Sequence, residues 1–170
     1  MDNNTDRNLV VDVKNLHISF KTFKGYSKVL NGVNLQVHKR ERIAIVGETG
    51  CGKTTTVSAI AQILAKQARV DKGEIFFNGK SVLKMNAKEL KKMRENGISI
   101  IFQDPIASLN PVFTIGNQMR EVIRYSGIDG ATDKNVQTER TIAALKETSM
   151  PDPERIMESY PFQLSGGMRQ

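Results

Sequence analysis

The segment Gly47-Glu48-Thr49-Gly50-Cys51-Gly52-Lys53-Thr54 restricts this chain more than any other, because of what flanks it. Upstream, Arg42-Ile43-Ala44-Ile45-Val46 reads as a short buried parallel strand. Downstream, Val57, Ile60, Ala61 and Leu64 recur at the spacing of one helix face. Strand, glycine-rich turn and helix in that order fit G-x-x-x-x-G-K-[ST], the phosphate loop. Its glycines let successive backbone N–H groups turn inward around an anion, and the following helix presents its positive end to it. Lys53 would neutralise the β and γ phosphates of a nucleotide, and the Thr54 hydroxyl would serve Mg²⁺, which bridges phosphate oxygens. Gly47, Glu48, Thr49, Gly50, Cys51, Gly52, Lys53, Thr54 and Thr55 are the candidate phosphate-binding residues.

Around this loop the pattern is mixed. Residues 9 to 20 and 29 to 37 alternate as strands, through Val11, Val13, Leu16 and Ile18 and then Val33, Leu35 and Val37, with a loop between. Glu74 to Gly79 reads as a strand entering an Asn-Gly turn. Asn86, with Glu89 three residues on, predicts a capping box opening a helix that Gly97 ends. Ile98 to Phe102 is a second buried-strand candidate, closed by Gln103-Asp104-Pro105. Thr114 starts a helix with Ile115, Met119, Val122 and Ile123 on one face and Gly127 as its stop. Another helix spans 133 to 148, Pro151 and Pro153 break the chain, and Ser165 caps a final helix.

Composition narrows the partners. The formal net charge is +7 and the basic residues are densest at Lys88, Lys91, Lys92 and Arg94, yet tryptophan is absent and no aromatics interleave them. That favours solvated faces over a nucleic-acid groove. The single cysteine, Cys51, excludes an internal disulfide, no histidine or cysteine spacing suits zinc, and a reducing cytoplasm fits. His17 and His38 fall in predicted strands and read as structural. Neither the amino terminus nor any other stretch approaches the roughly 18 apolar residues of a spanning helix, so a membrane role needs a separate partner.

A second constellation, Leu164-Ser165-Gly166-Gly167-Met168-Arg169-Gln170, puts a hydroxyl and two unhindered glycine amides at a helix start. With the phosphate loop upstream, it resembles the L-S-G-G-x-x-Q signature of the ATP-binding cassette family. Gln103 within Ile101-Phe102-Gln103-Asp104-Pro105 falls where that family places its Q-loop glutamine. Ser108-Leu109-Asn110-Pro111, Thr114-Ile115-Gly116 and Tyr160-Pro161 look like the oligopeptide, dipeptide and nickel importer group, and Met168 is similar to its D-type subunit.

The resemblance implies an α/β fold. A RecA-like P-loop core would carry an antiparallel β subdomain and an α-helical subdomain. Residues 1–170 would be a partial nucleotide-binding domain, with the β subdomain and core at 9–102 and the Q-loop, helical subdomain and signature at 103–170. The family's aspartate-ended strand, catalytic glutamate and switch histidine follow the signature, so the fold is expected to be incomplete at the C-terminus. The implied cofactors are ATP and Mg²⁺. Gln103 would act at the metal and the attacking water, Thr54 would bind the metal, and the signature would act in trans. Adenine would stack on Phe20, or on Tyr26. The implied partners are a second, F-type ATPase subunit, two permease subunits and, indirectly, an extracytoplasmic solute-binding protein, without nucleic acid. Their place would be the cytoplasmic face of the cell membrane. Arg40 stands where relatives carry glycine, and a left-handed backbone there would cost about 1 kcal/mol. A non-transport cassette ATPase acting on nucleic acid, and a nucleotide-binding fragment without turnover, are the alternatives.

Overall fold

The computed structural model of the protein describes residues 8–102, 104 and 108–170. These fall into two compact units, Met1–Ile98 and Ser99–Gln170.

In the first unit β1 (Leu9–Thr22) and β2 (Gly25–His38) form one long hairpin, closed by a tight turn at Phe23 and Lys24 rather than the loop expected between shorter strands. β3 (Ala68–Phe77) pairs with the other edge of β1, and β4 (Lys80–Ser81) pairs with β3, giving an antiparallel sheet in the order β2-β1-β3-β4. The Asn78-Gly79 turn between β3 and β4 has φ of 47° and 75°, the left-handed pair that this dipeptide adopts at low cost. Alternation buries Val13, Leu16 and Ile18 of β1, Leu30 of β2 and Ile75 of β3. They pack with Ala59, Val82 and Met93, and full burial of each large apolar side chain is worth about 1.5–3 kcal/mol.

The α-helices described in this unit are α1 (Lys53–Ile60) and α2 (Ala87–Asn96). The Asn86–Glu89 capping box is present in both directions, each bond at 3.0 Å, and Gly97 is the C-cap. α1 is shorter than its apolar spacing suggests. Gln62 takes φ 55° and its Nε2 donates to Ala59 O at 2.7 Å, while Arg94 donates to Ala61 O and Gln62 O at 3.3 and 2.7 Å. The last carbonyls are thus satisfied after two turns, so Leu64 lies beyond the helix. The buried face holds Thr56 and Ala59, whereas Val57 is 44% exposed.

The expected parallel strands are not formed among the described residues. Residues 41–48 and 98–102 enter no ladder, and Val46 and Ile101 are 90% and 80% exposed. An apolar run becomes a strand only when neighbouring backbone takes up its N–H and C=O groups, and no described segment does so here.

The second unit is helical, with α3 (Ile115–Arg124), α4 (Lys134–Glu147), α5 (Pro153–Glu158) and α6 (Gly166–Arg169). Ile115, Leu145, Ile156, Met157 and Leu164 form its core. Thr114 caps α3 as its sequence suggests, Asp133 caps α4, and α3 ends at Arg124, before the predicted stop at Gly127. Ile115 is buried and Met119 packs on the core, but Val122 is 72% exposed and does not share that face. Pro153 opens α5 instead of only interrupting the chain: Asp152 accepts from Arg155 N–H at 3.3 Å, and proline suits the first helical position.

Candidate functional site: a glycine-capped helix and its lysine

The cap of α1 is Gly52, at φ 97° and ψ 6°, and no side chain caps this helix. Glycine is required there twice over. The backbone is left-handed, and a Cβ would lie 2.5 Å from Leu30 Cδ2 and 3.3 Å from Val29 O. β2 therefore fixes the loop from beneath through two residues that motif reading does not single out. Their only signal in the sequence is strand alternation. The first turn of α1 carries no acidic residue. Its leading amides have neither a side-chain acceptor nor a counter-charge, and such an end attracts anions.

Lys53 folds back over the loop. Its Nζ donates to Gly47 O and Glu48 O, each at 2.7 Å, and lies 3.7 Å from Cys51 Sγ. Cys51 N–H donates to Glu48 O at 3.3 Å, closing the turn, and a Cβ at Gly47 would meet Cys51 Sγ at 2.8 Å. Gly50 is left-handed at φ 83°. Thr56, one turn into α1, is buried and turns its hydroxyl to Gly52 O at 3.0 Å. Thr54 is exposed and Thr55 half-buried at the helix start. Gly47 through Thr55 thus bring an ammonium, held by two loop carbonyls, into the same short segment as the uncapped amides of α1. That chemistry suits a polyphosphate, and the exposed Thr54 hydroxyl beside it is a hard oxygen ligand suited to Mg²⁺.

The other predicted site residues lie elsewhere. Phe20 sits on β1 opposite Ser27 and Ala68, half-buried and packed against the sheet core. Tyr26 is 54% exposed, with the Arg69 guanidinium 4.2 Å from its ring centroid. His38 and Glu41 brace the turn after β2: Glu41 Oε2 accepts from His38 N–H at 2.7 Å and lies 3.1 Å from His38 Nδ1. The backbone bond, followed by the ring, holds the Glu41 carboxyl below its ordinary range. Arg40, between them, takes the left-handed conformation at φ 66°.

In the second unit Ser165 caps α6, its Oγ accepting from Met168 N–H at 3.3 Å. Leu164 is buried, Met168 packs half-buried on the helical core, and Gly166 and Gly167 face open space. Gln170 Nε2 donates to Phe102 O at 3.4 Å, and Arg169 Nε is buried without a hydrogen-bond partner among the described residues. Gln103 lies outside the described residues.

A protein-family model described as "ABC transporter" matches residues 30–170, which include both the glycine-capped loop and the Ser165 cap. The chain belongs to the ABC transporter family. Among relatives of this cassette, a probable peptide ABC transporter ATP-binding protein of Sinorhizobium fredii is 37% identical over the whole chain, which covers 50% of that protein. The dipeptide transport ATP-binding protein DppD of Bacillus subtilis is 39% identical over 95% of the chain and 48% of its own length. The oligopeptide transport ATP-binding protein OppD of the same organism is also 39% identical, over 95% and 44%. The chain spans about half the length of the curated relatives it matches. Among solved structures, the ATP-binding cassette MJ0796, a dimer in a post-hydrolysis state bound to ADP and Pi, superposes with a TM-score of 0.79. It is 25% identical, over 94% of this chain and 65% of its own. The fold is that of an ABC ATPase cassette, α/β with an antiparallel sheet and helices. No helix among the described residues is long and apolar enough to cross a membrane.

Proposed function

We propose that the chain is the ATP-binding part of an importer subunit that hydrolyses ATP to drive uptake of peptides or a related solute. The observation that carries the reading is the start of α1, where a glycine cap leaves the first amides without side-chain acceptors and Lys53 folds back onto the loop carbonyls. The match to peptide-transport relatives supports the solute class. In this reading Gly47 to Thr55 wrap the phosphates, Lys53 exchanges its carbonyl partners for phosphate oxygens, and Thr54 holds Mg²⁺. Phe20 stacks on adenine, because one ring face of Tyr26 is already covered by Arg69. Gln103 acts at the metal and the attacking water and couples them to a permease.

Leu164 to Gln170 would meet the ATP of a second ATPase subunit. The assembly would include two permeases at the cytoplasmic face of the membrane and be fed by an extracytoplasmic binding protein. ATP supplies the phosphoryl group, and this chain's residues position and neutralise it.

Titration calorimetry with Mg-ATP on the complete subunit tests the reading. Lys53→Ala removes a charge-assisted contact of about 1.5–3 kcal/mol and should weaken binding roughly 10- to 150-fold. Affinity within twofold of the parent in a folded variant would remove Lys53, and with it the proposed site.

A further inference from the structure

The three long strands meet around one buried hydroxyl. Ser19 of β1 lies opposite Lys28 of β2 and opposite Arg69 of β3, so the three side chains share one face. The register slips beside it on both ladders, between Ile18 and Ser19 towards β2 and between His17 and Ile18 towards β3. Such irregularities spread neighbouring side chains apart. Here they border a cavity of about 280 Å³ lined by Ser19, Tyr26, Lys28, Arg69, Asp71 and Lys72, together with His17 and Leu30.

Ser19 is 2% exposed, and its Oγ makes no hydrogen bond of standard geometry among the described residues. The Asp71 carboxyl is held below its ordinary range, first by the Ser19 hydroxyl and then by the Arg69 guanidinium. The Ser19 hydroxyl faces the Asp71 carboxylate without closing a hydrogen bond of full geometry on it. Arg69 is committed: its Nε is 2.7 Å from Asp71 Oδ1 and its guanidinium covers Tyr26. Asp71 is neutralised by that pair, whereas Lys28 and Lys72 form no ion pair among the described residues. The wall is therefore positive by the Lys28 and Lys72 ammonium groups, above a floor that carries the buried Ser19 hydroxyl.

We propose that this pocket is a second anion site, separate from the glycine-capped loop, which binds a small phosphate-type oxyanion between Lys28 and Lys72 with Ser19 donating to it. No residue from Gly47 to Thr55 lines the pocket. Its volume falls below the roughly 300–1,000 Å³ of sites that enclose drug-sized ligands, so it suits inorganic phosphate or one phosphate headgroup rather than a whole nucleotide.

The test uses the complete subunit with its loop filled by Mg²⁺ and a non-hydrolysable ATP analogue. Radiolabelled inorganic phosphate is titrated by equilibrium dialysis. In parallel, phosphatidylglycerol vesicles are compared with phosphatidylcholine vesicles by co-sedimentation. Both lysines are exposed, so Lys28→Ala/Lys72→Ala should fold as the parent does, with nucleotide affinity within twofold. The expected result is saturable binding that this pair weakens at least tenfold and that Lys28→Arg/Lys72→Arg retains. If the loss is in free phosphate the ligand is soluble, and if it is only in phosphatidylglycerol vesicles the ligand is a lipid headgroup. Absence of saturable binding in both arms, or binding that the alanine pair leaves unchanged, overturns the site. Nucleotide affinity is read separately, so failure here is distinguishable from failure of the ATP-binding reading.

Discussion

The starts of α1 and α6 are built from the same few residue types, glycine beside a hydroxyl-bearing residue, yet they stand in different states. α1 is capped by Gly52, which has no side chain to give its amides, so they wait for an external acceptor. α6 is capped by Ser165, whose Oγ already takes Met168 N–H. The glycines differ in the same sense. A Cβ at Gly52 would strike Leu30, whereas Gly166 and Gly167 have nothing within 4 Å. One helix start is fixed by the sheet beneath it and is chemically open. The other is self-satisfied and sterically open, ready to meet something that arrives from outside. An anion at α1 meets no side chain on the helix amides but must draw Lys53 from its two carbonyls, while a ligand at Ser165 must compete with a bond the helix already has.

The sharpest way to break this contrast is to make the same substitution at both starts. Gly52→Ala combines a left-handed alanine, about 1–2 kcal/mol, with overpacking against Leu30, about 1–3 kcal/mol. Chemical denaturation should report a loss of about 2–5 kcal/mol, unless the loop shifts to avoid it, in which case nucleotide affinity falls instead. Gly167→Ala meets no neighbour and improves helix propensity, so stability should hold or rise by up to about 1 kcal/mol. Equal destabilisation by the two changes would mean that β2 does not fix the loop.

A smaller effect is expected from Ser165→Ala. Loss of an N-cap costs about 0.5–2 kcal/mol, and here it falls on a four-residue helix at the end of the described chain. Hydrogen exchange at the Met168 amide should accelerate while Mg-ATP affinity stays unchanged, because the loop does not depend on this cap. A parallel loss of nucleotide affinity would show that the two starts are not independent.

What could be read from sequence divides along a similar line. Signals that close within four residues were legible: the Asn86–Glu89 box, the Thr114 and Ser165 caps and the Asn78-Gly79 turn. Each is a local bond that needs no distant partner. Features that depend on what lies alongside were not legible. Residues 41–48 and 98–102 have the composition of buried strands but no ladder among the described residues, and Val57 and Val122 face outward despite helical spacing. Pro153 was ambiguous for another reason, since the same residue breaks a helix from within and begins one well. Leu30 and Val29, which hold Gly52, looked like ordinary strand residues until the fold placed them under the loop.

The smallest expected effect concerns the approach to the loop. The turn from His38 to Glu41 is the last side-chain-anchored point before residues 42–47, and like α6 it is self-satisfied, with the Glu41 carboxylate holding His38 N–H at 2.7 Å. Its one conflict is Arg40 at φ 66°, where an L-residue with a Cβ carries about 1–2 kcal/mol of strain. Arg40→Gly relieves that strain but enlarges the unfolded ensemble, which returns about 0.4–1 kcal/mol. The net should lie between no change and a gain of about 1.6 kcal/mol in denaturant-derived stability, with the His38–Glu41 bond kept. If readiness for phosphate resides in the Gly52 cap, Mg-ATP affinity will be the same in Arg40→Gly and in the parent. A change of more than about twofold, with stability in that range, would mean that the turn's strain is transmitted along residues 42–47 into the loop. The openness of α1 would then be a property of the whole approach from β2 rather than of the Gly52 cap.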